Sequence, residues 1–265
     1  MADKDVKMKG PSVNVYSLKG EKTKSIHLPE VFTVPLRHDL IRRDVVAIQA
    51  TRRQPYGPSR RSGMRHSVEW WGKGRGTSRV TRLKGSARGA QSPCTVGGRP
   101  CHPPRPERIW AKKVNHKERL RARASALGAM HDTKVVTGRG HRFKDGLTLP
   151  VVMEDEFEKV DATREVIEVL EKVGVYDDVK RAWTGKHVRA GMGKLRGRRF
   201  RSPRSLLIVV SRKDGIEKGA RNLAGVDIVT PRQLNTELLA PGGDPGRLSV
   251  FTESAIEELR RWKND

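Results

Sequence analysis

Leu206–Val229 reads LLIVVSRKDGIEKGARNLAGVDIV. Its first five residues are an unbroken aliphatic, mostly β-branched run, the pattern of a strand covered on both faces. Asp214–Asn222 follows as a short helix, and Val226–Val229 is a second buried strand. Strand, helix and strand in that order imply a parallel sheet with helices packed on it.

Working outward toward the C-terminus, Thr230 and Pro231 start another helix as N-cap and first helical residue. The loop Ala240–Arg247 (APGGDPGR) leads to Thr252, which caps a last helix carrying Ile256, Leu259 and Trp262. Toward the N-terminus, Leu149–Met153 is a strand. A helix over Ala162–Val173 then points Val166, Val169, Leu170 and Val173 inward, with Gly174 at its end. Val13–Leu18 is a first strand with Gly20 in the turn after it, and Leu36, Leu40, Val45 and Ile48 mark a helix over Pro35–Ala50 with Pro35 in its first turn. The expectation is an α/β fold around a mostly parallel four-stranded sheet.

Two segments carry no such periodicity. Arg52–Pro106 has thirteen Lys/Arg against one acid, Glu69, with nine Gly and seven Pro. It cannot bury enough apolar surface to offset its own ordering entropy. Structureless loops beyond about 12–15 residues are rare inside compact domains, so this is a linker or an arm ordered by an anionic partner. Trp70 and Trp71 favour the arm, since a linker gains nothing from tryptophan. Thr184–Arg204 is a second such stretch, with eight Lys/Arg, four Gly and no acid. Glycine lets a backbone approach a phosphate chain, and arginine supplies charge-assisted hydrogen bonds. The domains read as a globular body over residues 1–51 and 107–265, with 184–204 a basic loop within it, and a long extended basic arm over 52–106. Between them a helix beginning at Asn115, with Glu118 as a capping-box-like partner, sets an apolar stripe (Leu120, Ala124, Leu127) against a basic face of His116, Lys117, Arg119, Arg121 and Arg123. That face is either a solvated surface or a second phosphate-facing one.

The charge balance narrows the function. The chain of 265 residues carries a formal net charge of +25, an excess that calls for a polyanion. Arg52–Pro106 holds +12 of it. Two cysteines make no disulfide framework, which fits a reducing compartment. Met1–Gly10 is charged and has no leader pattern. No run of about 18 apolar residues exists to span a membrane, and no internal repeat is visible.

Candidate chemistry is sparse. Gly72-Lys-Gly74-Arg-Gly76 has dinucleotide-fingerprint glycines without the flanking strand and helix. No phosphate-binding loop of the G-x-x-x-x-G-K-[ST] type and no G-x-S-x-G turn is present. Cys94, Cys101 and His102 lack the tight spacing and fourth ligand of a zinc site. His66, His102, His141 and His187 lie in or beside basic stretches, where an RNA contact or a bystander position is a simpler reading than catalysis. Glu154, Asp155, Glu156, Glu158 and Asp161 follow a strand and are the one cluster that suits a divalent cation. Their alternative is an acidic helix N-terminus. Trp70 and Trp71, flanked by arginine, suit stacking on bases.

These residues resemble a known family. WGKGRGTSR, HPPRPER, NHKERLRARASAL and SLLIVVS…GARNLAGVDIVTPRQLNTELL are similar, in order and over nearly the whole chain, to universal large-subunit ribosomal protein four, the L-four family. IRR, RRQPYG, RAGMGKLRGRR, LLAPGGDPGRL and TESAIEEL resemble its archaeal and eukaryotic branch, and the archaeal form fits best. SPCTVGGRPCHPP departs from it, with cysteines where none are expected family-wide. The resemblance implies a three-layer α/β/α body and a structural, non-enzymatic constituent of the cytoplasmic large ribosomal subunit that needs no cofactor or metal. It implies rRNA contacts from Arg52, Arg53, Arg60, Arg61, Arg65, Trp70, Trp71, Lys73, Arg75, Arg79, Arg82, Lys84, Arg88, Arg99, His102 and Arg105. The second stretch adds Lys186, Arg189, Lys194, Arg196, Arg198, Arg199, Arg201 and Arg204. It also implies a tip, Gly74, Arg75, Gly76, Thr77, Ser78, Arg79 and Val80, near the wall of the nascent-peptide exit tunnel. Partners would be large-subunit rRNA, neighbouring large-subunit proteins and the nascent peptide, with the chain a monomer in the ribosome and no membrane involved. Two other readings stand beside this one: a metal-dependent RNA-processing enzyme using the carboxylates at 154–161, and a free RNA-binding regulator.

Overall fold

The computed structural model describes residues 10–262, so the expectation that Met1–Gly10 is not a leader falls, but for Gly10, outside them. In chain order the body begins with β1 (Ser12–Tyr16), β2 (Lys22–His27) and α1 (His38–Thr51). A separate unit over Ala50–Ala111 contains β3 (Val68–Glu69) and β4 (Arg82–Leu83). The body resumes with α2 (His116–Gly128), α3 (Thr133–Gly138), β5 (Val151–Met153), α4 (Thr163–Val173) and α5 (Tyr176–Thr184). Then come β6 (His187–Val188), β7 (Phe200–Arg201), β8 (Leu207–Val209), α6 (Ile216–Ala220) and β9 (Asp227–Val229). The chain closes with α7 (Thr236–Leu239), β10 (Ser249–Thr252) and α8 (Glu253–Arg260).

The body's main sheet has six strands, in the order β2-β1-β5-β10-β8-β9. Only the β1–β2 pair is antiparallel; β1–β5, β5–β10, β10–β8 and β8–β9 are parallel. The expected four-stranded sheet is therefore corrected to six, the additional strands being β2 and β10. Strand β2 (KTKSIH) is an edge strand whose side chains are almost all exposed, so burial left no alternation to read. Strand β10 (SVFT) is a four-residue central strand, buried throughout and too short for a period.

Alternation along the parallel strands splits the core in two. Val13, Val15, Val152, Leu207, Val209 and Phe251 join Ile41 and Val45 of α1, Ala124 and Leu127 of α2, and Ile256 and Leu259 of α8. Val151, Met153, Leu206, Ile208, Val210 and Val250 join Val166, Val169 and Leu170 of α4, Val179 of α5 and Ile216 of α6. Helices thus cover both faces of the sheet. Phe251 meets Phe32 edge-on at 5.8 Å between ring centroids.

Two anticipated helix starts take other forms. Pro35 precedes α1 instead of opening it, and its carbonyl accepts from the Ser125 hydroxyl at 3.0 Å. Thr230 and Pro231 open a single 3-10 turn with a capping box closed by Gln233, and α7 follows it. Gly174 ends α4 in the left-handed conformation, φ 89°, as a residue without Cβ can.

Candidate nucleic-acid interface

Rather than running as one extended strand, Ala50–Ala111 doubles back on itself and is held by polar and glycine contacts in place of a core. At its root the Trp110 ring lies between two guanidiniums, Arg53 at 4.0 Å and Arg108 at 4.5 Å. Arg60 Nε donates to Glu107 at 3.0 Å, and the guanidinium, through its hydrogen bonds first, holds the Glu107 carboxyl below the usual range. Gly57 packs so closely on Pro104 that a Cβ there would meet its carbonyl oxygen at 2.4 Å. Further out, Gln91 adopts φ 60° and its side-chain amide donates to the carbonyls of Met64, at 3.1 Å, and His66. The β3–β4 pair sets Val68 opposite Leu83 and Glu69 opposite Arg82.

Beyond that pair, Gly72, Gly74 and Gly76 all have positive φ and open space where a Cβ would stand. The tip Gly74–Arg79 is exposed and Val80 half-buried. Every basic residue of Arg52–Pro106 is exposed except Arg82. Arg82 is half-buried under Trp71, 5.3 Å from its ring centroid, and donates to the Ser78 hydroxyl and the Ala87 carbonyl. Among the described residues, Arg61, Arg65, Lys73, Arg75, Arg79, Lys84, Arg88, Arg99 and Arg105 form no ion pair. Trp70 and His102 are exposed. Arg52 lies at the exposed end of α1.

The second basic stretch forms a hairpin, with His187 opposite Arg201 and Val188 opposite Phe200. Lys186, Lys194, Arg196, Arg198, Arg199 and Arg201 are exposed, and Arg189 is half-buried. Arg204 is committed internally, to both carboxylate oxygens of Asp227 at 2.8 and 3.0 Å. Four of the predicted RNA-facing cations, Arg53, Arg60, Arg82 and Arg204, therefore hold the protein's own structure together.

On α2 the basic face divides. His116, Lys117, Arg119 and Arg121 are exposed, whereas Arg123 lies over the Trp262 ring at 4.2 Å and donates to the Leu234 carbonyl. Asn115 caps the helix by position without a side-chain bond, and Glu118 pairs with Arg43 at 3.4 Å. Sequence reading missed a cationic hollow of about 460 Å³ lined by Arg42, Arg43, Lys112 and Lys113 with Val46 and Val114. The signal was present: the charge of the arm continues past Pro106 to Lys113.

Three of the five acids in the cluster, Glu154, Asp155 and Glu158, are committed to the protein's own backbone and hydroxyls. Glu158 is buried and accepts from the Ser211 amide, the Arg212 amide and the Thr252 hydroxyl, at 2.7, 3.2 and 2.7 Å. Asp155 accepts from the Ser254 amide at 2.9 Å and Glu154 from the Thr23 hydroxyl at 2.7 Å. These carboxylates tie β10, α8 and β2 to the end of β5. Cys94 and Cys101 are free and exposed, and among the described residues no three His, Cys, Asp or Glu side chains gather as a metal site would need.

The family model described as "Ribosomal protein L4/L1 family" matches residues 26–262. A protein of Archaeoglobus fulgidus named large ribosomal subunit protein uL4 is 50% identical over 248 residues, 94% of this chain and 98% of its own. Proteins of the same name from Methanopyrus kandleri and Haloquadratum walsbyi are each 48% identical, over 92% of this chain and 96% and 97% of theirs. Matches of that extent make the chain a member of the ribosomal protein L4/L1 family.

Proposed function

We propose that this chain is a structural constituent of the large ribosomal subunit, in the cytoplasm, and that it binds large-subunit rRNA through two surfaces. The first is the segment 52–106, which threads among rRNA strands and carries residues 74–80 to the wall of the nascent-peptide exit tunnel. The second is the hairpin 184–204 on the body, where the exposed cations from Lys186 to Arg201 meet phosphates. The chain acts as a monomer beside other large-subunit proteins, with the nascent peptide as a neighbour of the tip. It catalyses no reaction. The observation that carries this reading is the exposed charge of Arg61, Arg65, Lys73, Arg75, Arg79, Lys84, Arg88, Arg99 and Arg105 on a chain whose relatives bear a large-subunit name. A polyanion is what such a surface lacks.

The test is sedimentation of the tagged full-length chain expressed in an archaeal host. It should move with large subunits and remain there through a moderate salt wash. A chain found only in the ribosome-free fraction would overturn the proposal.

A further inference from the structure

The hairpin 184–204 and the helix before it expose more apolar surface than a purely electrostatic contact uses. Trp183 is 68% exposed and Phe200 50%, and Val188, Met192 and Leu195 are exposed with them. Trp183 follows Ala182, which faces the core of α5, so the indole is turned outward from a well-packed helix. Phe200 lies on β7, opposite Val188. One cation links the two rings: Lys186 Nζ is 5.9 Å from the centroid of Trp183 and 5.0 Å from that of Phe200. Arg199 adds a guanidinium 5.5 Å from the Phe200 ring. Two aromatic rings thus flank one ammonium, with no acid in the stretch from Thr184 to Arg204.

We infer that Trp183 and Phe200 form a stacking site for unpaired nucleotides, with Lys186 and Arg199 taking the flanking phosphates. This rests on the RNA-binding reading above and adds the class of RNA that the hairpin takes. Duplex RNA hides its base faces, whereas bases splayed from loops and bulges offer them to aromatic side chains. The partner must supply flat π-faces and negative charge together, and single-stranded nucleic acid does so at every residue. A protein partner would have to bring carboxylates to seven Lys/Arg, Arg204 being already paired with Asp227, and aromatic or aliphatic groups to the same few side chains. The charge pattern therefore favours RNA.

Binding of a single-stranded RNA nonamer to the full-length chain, and of the same nonamer annealed to its complement, tests the site. Both rings are exposed, so Trp183→Ala and Phe200→Ala should fold and melt as the parent does. Each should raise the Kd for the single strand about tenfold, with little effect on the duplex. Trp183→Phe, which keeps a ring, should recover most of the loss. Neither ring change should alter the slope of log K on log salt, while Lys186→Ala should lower its magnitude by about 0.7. A second readout uses Trp183 as the sole indole, with Phe at positions 70, 71, 110 and 262. Its emission should be quenched by the single strand and not by the duplex. Equal losses for single strand and duplex, or unquenched Trp183 emission in a chain that binds RNA, would overturn the stacking site and assign the patch to a protein contact. No RNA affinity in the parent chain would instead overturn the functional reading beneath it.

Discussion

Arg247 shows what a cation does here when it is not on the surface. It is fully buried, and its guanidinium donates to the carbonyls of Ser205, Leu206, Gly225 and Leu238. It also pairs with Asp227 at 2.7 Å. Burial pulls its pKa down to about 10, against the pull of Asp227, so it stays charged at neutral pH. One side chain thereby ties the start of β8 to the start of β9 and to α7. Arg247→Met leaves four buried carbonyls and a carboxylate short of a donor, and should cost about 3–5 kcal/mol in urea unfolding. In the sequence Arg247 stands at the end of a Gly/Pro loop and reads as one more surface cation. Its partners come from segments far along the chain, so no local pattern could mark it. Asp178 has the same character. Burial pushes its carboxyl up, but hydrogen bonds from His141 and Arg181, together with their charges, outweigh burial and leave the pKa below the ordinary value. A carboxyl depressed in the folded state stabilises the fold above its unfolded pKa of about 3.9. That stability is lost as pH falls through the folded value. The urea midpoint of the parent should therefore fall more steeply below about pH 4 than that of Asp178→Asn.

Among the elements, legibility followed burial on both sides. LLIVV could be read as a strand because a short run rich in β-branched residues suits a sheet interior, and β8 lies there, buried throughout. The helix stripe of Val166, Val169, Leu170 and Val173 was equally plain and is the buried face of α4. The two unread strands failed for opposite reasons, β2 having no buried face and β10 having no length. Its central residue nevertheless carries much of one core: Phe251→Ala should cost about 3–5 kcal/mol in unfolding free energy. The doubled-back form of Ala50–Ala111 was not legible either, because it rests on glycine contacts and single side chains in place of a period. Gly63 illustrates this. Its φ is +72°, and a Cβ would come within 2.6 Å of the Arg99 amide nitrogen and the Gly98 carbonyl carbon. Gly63→Ala should speed amide hydrogen exchange throughout 57–104 while the exchange of α4, β8 and β10 in the body stays unchanged. Slower or equal exchange in the segment would show that the close approach at Gly63 does not hold it.

At the scale of the whole molecule, charge is divided between cations that build the protein and cations left for a partner. Composition revealed the total, and only the coordinates separate the two kinds. The division is measurable in the salt dependence of RNA binding. Arg75→Ala and Arg198→Ala, at exposed unpaired sites, should each lower the magnitude of the log–log slope by about 0.7–0.9. Arg82→Ala and Arg204→Ala should leave the slope near the parental value and instead loosen the tip or destabilise the body. The central claim is that residues 74–80 lie inside the large subunit, at the tunnel wall. It is tested most directly by replacing Cys94 and Cys101 with Ser, introducing Thr77→Cys, and tethering a hydroxyl-radical source there in assembled large subunits. Cleavage of large-subunit rRNA along the exit tunnel is the predicted result. Subunits that contain the chain but are cleaved only at their outer surface would contradict the account.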